Sequence, residues 1–479
     1  MDLARFLGSR ALRFALLCVS TASLLSPLAA QAVPAFARQT GQNCVACHAG
    51  GNFPDLTPYG RIFKLTGYTI GERALPLSAM AVASYNKTNN TSEVGGLVDV
   101  TATYPKDGNV IFSTASLFLA GKVTDNIGGF VQITYNNYDH QNEDSHWVGH
   151  TVSDNLDIRY ADRLIDPKQD LIFGATMNNN PGVQDPWNST PAWGYNVVPG
   201  STGPAATPLL AGGLAQNVAG AGAYVYWDRT IYAELSGYAT ANGVWSFMSH
   251  GFNTGRGDQQ IVKGTNPYWR LALTREWGPH NAMIGTFGMN TDLYPDANDP
   301  SGPTDHFRDI GFDAQYQYLL DPHTVTATAT YITEKHIYAS TEPAPLDPDG
   351  SLGLGLPDTS GSDKLDMFRA KVSYVYQAKY GGSLSFFNVT GSANTALQTA
   401  ANDPNNPGTV VGEPLGSLNG SPATRGWTAE ATWTPLQNAR IGLQYTWFNK
   451  FNGGTNNYDG FGRNASDNNT LFLYVWGAI

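Results

Sequence analysis

The chain has 479 residues and a formal net charge of −11 at pH 7, and only 14% of its residues are charged, well under the roughly one quarter usual in soluble domains. An acidic balance without a basic face excludes nucleic acid as a partner, because phosphate binding needs such a face. Mean hydropathy is -0.26, and beyond the N-terminal region no apolar run reaches the ~18 residues of a membrane helix, so only paired strands could cross a bilayer.

In chain order, Arg5, Arg10 and Arg13 precede an apolar run over 14–25, and Ala30-Gln31-Ala32 supplies a small-x-small cleavage pattern. Residues 1–32 are therefore expected to be an export signal. Cys18 lies inside the apolar run, behind Ala15-Leu16-Leu17, which lacks the small residues that precede a lipidated cysteine. It would leave with the signal, so Cys44 and Cys47 are the cysteines that remain.

Residues 33–75 differ in character from the remainder of the chain, holding both remaining cysteines and one predicted helix. Thr57 suits its cap, Pro58 its first turn and Gly67 its stop, while Tyr59, Ile62 and Phe63 fall at i, i+3 and i+4. Cys44-Val45-Ala46-Cys47-His48 carries the chemistry. Two thiols three positions apart can each add to a haem vinyl group, and the adjoining imidazole can ligate the iron, so one covalent haem c is expected on Cys44, Cys47 and His48. The other readings are a disulfide, a thioredoxin-like redox pair and half of a zinc site. The first does not need His48, the second wants a βαβ context, and the third wants four ligands.

Met80, the nearest downstream methionine, is the candidate sixth ligand of the iron, with core packing as its other reading. Met367, His140, His146 and His150 are further candidates, and five-coordinate iron stays open. The three histidines share residues 139–150 with Glu143 and Asp144, a run that reads either as a metal-collecting loop or as a solvated one. Arg38, Arg61 and Lys64 flank the motif and suit haem propionates or plain surface positions.

Beyond the segment, period-2 alternation dominates. Val325, Ala327, Ala329 and Tyr331 alternate with threonines; Phe368, Ala370, Val372, Tyr374 and Tyr376 oppose Arg369, Lys371 and Ser373, with Val375 alone apolar on the polar face. Trp427, Ala429, Ala431 and Trp433 oppose Thr428, Glu430, Thr432 and Thr434, and Ile441, Leu443, Tyr445 and Trp447 oppose Arg440, Gln444 and Thr446. One face suits lipid and the other water. Short connections are expected near Asp125, Asp166-Pro167, Asp228-Arg229, Gly278-Pro279, Asp321-Pro322, Gly381-Gly382 and 435–438, and long outer loops over 179–216, 342–362 and 396–424. Aromatic girdles are read at Tyr224, Tyr226 and Trp227 and at Tyr374, Tyr376 and Tyr380, and a last strand at 471–476.

The fold expected is all-β: a transmembrane antiparallel β-barrel of about sixteen strands, its lumen plugged by the short, partly helical haem c segment. The division is signal 1–32, monohaem cytochrome c segment 33–75, connector 76–93 lying in the lumen or at its rim, and barrel 94–479 in the cell outer membrane. No nucleophile elbow, phosphate loop or zinc-protease motif occurs.

The run from Phe36 through Cys44 and Cys47 to His48, with Leu56-Thr57-Pro58-Tyr59-Gly60-Arg61 and Lys64-Leu65-Thr66-Gly67-Tyr68 after it, resembles the fused monohaem cytochrome-porins of iron-oxidising bacteria. The order of parts matches over the mature chain, and residue-level likeness is concentrated over 36–68. The resemblance implies oxidation of ferrous iron outside the cell, with electrons passed to a periplasmic cytochrome c or blue-copper protein. In acid the 39 carboxylates would largely protonate, and the 28 Lys and Arg with 9 His would reverse the sign of the surface. The alternatives are a conduit for another extracellular donor, and a diffusion porin whose haem segment is a structural plug.

Overall fold

The computed structural model describes residues 34–90, 108–141, 147–189, 206–250, 260–295, 297, 299–339, 361–394, 401–402, 410–411, 417–460 and 462–479. The expected signal, with Cys18, lies outside them.

Sixteen antiparallel strands close into one barrel. Numbering only the wall, they are β1 (Leu77–Thr88), β2 (Val110–Lys122), β3 (Ile127–Gln141), β4 (Trp147–Asp166), β5 (Gln169–Asn178), β6 (Val218–Trp227), β7 (Ile231–Thr240) and β8 (Asn266–Trp277). The second half comprises β9 (His280–Leu293), β10 (Asp305–Leu320), β11 (His323–Ile337), β12 (Ser362–Tyr376), β13 (Tyr380–Gly391), β14 (Thr424–Leu436), β15 (Ala439–Lys450) and β16 (Thr470–Ala478). Each strand pairs with its chain neighbours, and β16 returns to β1, so no edge is left open. A two-stranded ribbon, Ala401–Asn402 with Val410–Val411, stands apart.

The polarity of the wall is inverted relative to a soluble protein. On β7 Leu235 is 65% exposed while its neighbour Glu234 is 5% exposed, and on β8 Leu271 and Leu273 are exposed while Arg270 is fully buried. Outward positions are apolar because lipid is their solvent; inward ones are charged and hydroxylic because the lumen supplies their partners. Tyr374, Tyr376 and Tyr380 face out as expected, but Tyr224 and Tyr226 are buried inward, leaving Trp227 as the girdle residue there.

Short turns lie at 123–126, 167–168, 228–230, 278–279, 321–322, 377–379 and 437–438, and the long connections sit at the opposite end. The turn expected at Gly381-Gly382 is instead formed just before it, at 377–379, where Gln377 and Ala378 adopt positive φ; both glycines belong to β13. In membrane barrels the short turns face the periplasm.

The connector expected over 76–93 is corrected. Leu77–Thr88 is the first wall strand, hydrogen-bonded to β16 from Met80 to Thr88 and to β2 from Leu77 to Tyr85. The barrel closes only if its first and last strands pair, and the small outer face Ala79, Ala81 and Ala83 understates a strand that lipid covers. A wall beginning at residue 94 falls within 91–107, outside the described residues.

Residues 34–76 fill the short-turn end of the lumen with three helices, α1 (Pro34–Thr40), α2 (Cys44–Cys47) and α3 (Pro58–Leu65). Phe36, Phe63 and Tyr68 form one aromatic knot, which packs against Phe118 and Phe130 of the wall. The long connection after β5 was expected on the outer face, yet its start over 179–189 folds inward: Thr330 Oγ1 donates to the Ser189 carbonyl at 3.1 Å.

Candidate functional site

Local sequence builds the site. Helix α2 is a single turn, so Cys44 and Cys47, three positions apart, lie on one side of it. Neither forms a disulfide, and the Cys44 thiol donates to the Gln437 carbonyl and Oε1 at 3.8 and 3.7 Å. The His48 amide closes the turn by donating to the Cys44 carbonyl at 2.8 Å. Thr57 then joins α2 to α3: its amide donates to Cys47 at 2.9 Å, its hydroxyl donates to the Ala46 carbonyl, and it caps α3 by accepting from Gly60. Gly60 is required, since a Cβ there would stand 2.2 Å from the Cys47 carbonyl oxygen.

Cys44, Cys47 and His48 open together on one cavity whose apolar lining includes Phe36, Leu56, Phe63, Tyr68, Phe130 and Val183. These three residues are the ones that could hold a haem. The His48 ring packs edge-on against Phe53 at 4.4 Å, and its Nδ1 is buried without a hydrogen-bond partner among the described residues. Burial, and then the cationic Arg440, push its pKa down to about 3, so the ring is neutral, the form a metal requires. Burial, reinforced by Cys44, raises the Cys47 thiol to about 11, so it stays protonated at neutral pH.

The wall grips this segment. Tyr68 Oη donates to Asp157 Oδ2 at 2.6 Å, Tyr224 Oη to the Leu65 carbonyl at 2.7 Å, and Arg440 donates to the Gly51 carbonyl and to Asn52 Oδ1. Val375, the apolar exception on the polar face of β12, meets Gly50, where a Cβ would come within 2.7 Å of it. Of the flanking cations, Arg38 is exposed and donates to the carbonyls of Leu75 and Leu77. Arg61 is buried, donating to Leu56, Gln315 and Asn281. Of the three, Lys64 lines the cavity, its ammonium on the Val183 and Asp185 carbonyls, and burial brings its pKa to about 8.

Met80 faces the lumen from β1, but its sulfur accepts from Trp476 Nε1 at 3.3 Å and it does not line the cavity. Met367 is buried among Leu210, Leu214 and Ile332, a cluster separate from the cavity. His150 Nε2 lies 3.2 Å from the His250 carbonyl; His146 falls outside the described residues, as does the side chain of His140. Sequence reading did not single out Phe53, Phe130, Val183 or the role of Arg440. Arg440 was visible as a polar-face residue, but nothing local says that it meets residues 51–52.

A closed, even-stranded barrel with an apolar belt and a plugged polar lumen defines an outer-membrane β-barrel of porin architecture. No protein-family profile and no curated protein matches the chain. Among solved structures it is similar to the Salmonella typhi OmpF complex with daunomycin, at 11% identity and a TM-score of 0.41 over 84% of this chain and 97% of that one. It is also similar to the outer-membrane channel DcaP of Acinetobacter baumannii, at 13% identity and 0.43 over 84% and 96%. A loop L8 deletion mutant of Vibrio cholerae OmpT matches at 10% and 0.41 over 84% and 98%.

Proposed function

We propose that the barrel carries one haem c in this cavity and moves electrons inward across the outer membrane. Extracellular ferrous iron is the donor and a periplasmic cytochrome c or blue-copper protein the acceptor. The observation that carries the reading is the opening of both thiols and a neutral imidazole onto one apolar cavity. Cys44 and Cys47 would hold the group as thioethers and His48 would ligate its iron, giving a one-electron centre. Phe36, Phe63, Tyr68 and Phe130 keep water from it, which stiffens local electrostatics. Lys64 is placed to meet a carboxylate on the cavity rim. A site at the short-turn end suits delivery to a periplasmic acceptor, and the donor would approach it through the lumen from the opposite end.

The test is intact mass and absorption of the exported protein, then stopped-flow mixing with Fe(II). Porphyrin mass lost in the Cys44→Ser/Cys47→Ser pair, and Soret reduction by Fe(II), are expected. A mature chain without added porphyrin would sink the proposal. Another extracellular donor would show as faster reduction by that donor than by Fe(II).

One observation favours a second role, passage of small solutes: a chamber of mixed polar and apolar lining lies beside the plug, between Pro54, Asp55 and the strands from β9 to β15. Liposome swelling that survives His48→Ala would support it, and impermeable liposomes would exclude it.

A further inference from the structure

We infer that this chamber is an anion site, with Arg369 as the group that takes a small oxyanion or carboxylate; the inference builds on the passage reading by naming its solute. Arg369 alternates on β12 with Phe368 and Ala370, and it lines the chamber. It is exposed although it points into the barrel, so the space around its guanidinium is open to water. It has neither an ion pair nor a hydrogen bond among the described residues.

Of the two carboxylates that line the same space, Asp55 stands beside a cation, while Glu430 is held by hydroxyls and keeps its charge. Asp55 of the plug lies 3.9 Å from Lys371 Nζ, and Glu430 accepts Tyr474 Oη at 2.8 Å and Ser383 Oγ at 3.5 Å. Arg369 is therefore the lining cation that has no carboxylate beside it among the described residues. Its planar fork of donors matches a phosphate, sulfate or carboxylate edge. Thr328, on the neighbouring strand β11 and paired with Lys371, adds a hydroxyl to the lining. Bulk charge would give the opposite preference, since the chain carries −11 overall. Anion preference would thus be local to Arg369, since Lys371, Asp55 and Glu430 line the same chamber.

The probe is phenylglyoxal on the full-length protein in detergent, with modification located by mass spectrometry and exposed Arg38 as internal reference. Inorganic phosphate at ten times a millimolar Kd should slow modification of Arg369 by about tenfold and leave Arg38 unchanged. Modification of Arg369 at an unaltered rate overturns the assignment. An Arg369 that never reacts while Arg38 does shows a chamber closed to solutes and overturns both this proposal and the passage reading. Planar-bilayer reversal potentials in a KCl gradient separate the two: anion preference that Arg369→Gln abolishes supports both. Conductance without such preference defeats the anion assignment alone, and phosphate protection without conductance retains the site while defeating passage.

Discussion

Gly60 shows how little room the motif leaves. A methyl group at this position would stand 2.2 Å from the Cys47 carbonyl oxygen, backbone that cannot swing aside. Gly60→Ala should therefore push α3 off the cysteine turn, costing about 1–3 kcal/mol and lowering the yield of the proposed haem c, measured as haem stain per barrel. His48 gives a pH signature. Its folded pKa falls from 6.5 to about 3, through burial first and Arg440 second, so the unfolded state binds more protons between those values. Stability of the docked segment is then full above pH 6.5 and lost as pH falls towards 3. Hydrogen exchange of amides 34–75 in the Cys44→Ser/Cys47→Ser variant, corrected for intrinsic rates, should show this; protection independent of pH from 7 to 4 would contradict it.

Among elements, α3 depends on its cap. Thr57 satisfies the Gly60 amide and ties α3 to α2 through the Ala46 carbonyl. Thr57→Ala should cost about 1 kcal/mol, visible as faster exchange confined to α3. Strand β1 is the barrel's seam, with Ala81 paired to Gly477 on one side and Ala115 on the other. Ala81→Pro removes a ladder donor between two partners and should prevent closure, read as loss of the heat-modifiable band on gels. The same substitution in the exposed turn at Asp125 should leave the band in place.

At the scale of the molecule, wall and plug are separable in composition but joined by hydrogen bonds. The wall from β1 to β16 closes without help from residues 34–76, while Asp157, Tyr224 and Arg440 hold those residues in place. Deleting 34–75 should leave a closed barrel whose single-channel conductance rises several-fold over the intact protein. An unchanged conductance would mean that the inward connection at 179–189, rather than the plug, sets the bore.

Much of this protein was legible in the chain because its signals are local. The alternation of Phe368, Ala370 and Val372 with Arg369 and Lys371 reflects the period of a strand between two solvents, and α3 is written in Thr57, Pro58 and Gly67. The cysteine motif, too, needs only a single helical turn. What only the tertiary structure decided are the contacts made across hundreds of residues: β1 as the seam with β16, Val375 against Gly50, Arg440 on Gly51, and 179–189 turned into the lumen. The physical reason is that barrel closure and lumen filling are pairings between distant segments, which no local period encodes, so a residue such as Arg369 gains its meaning only from what surrounds it in the lumen.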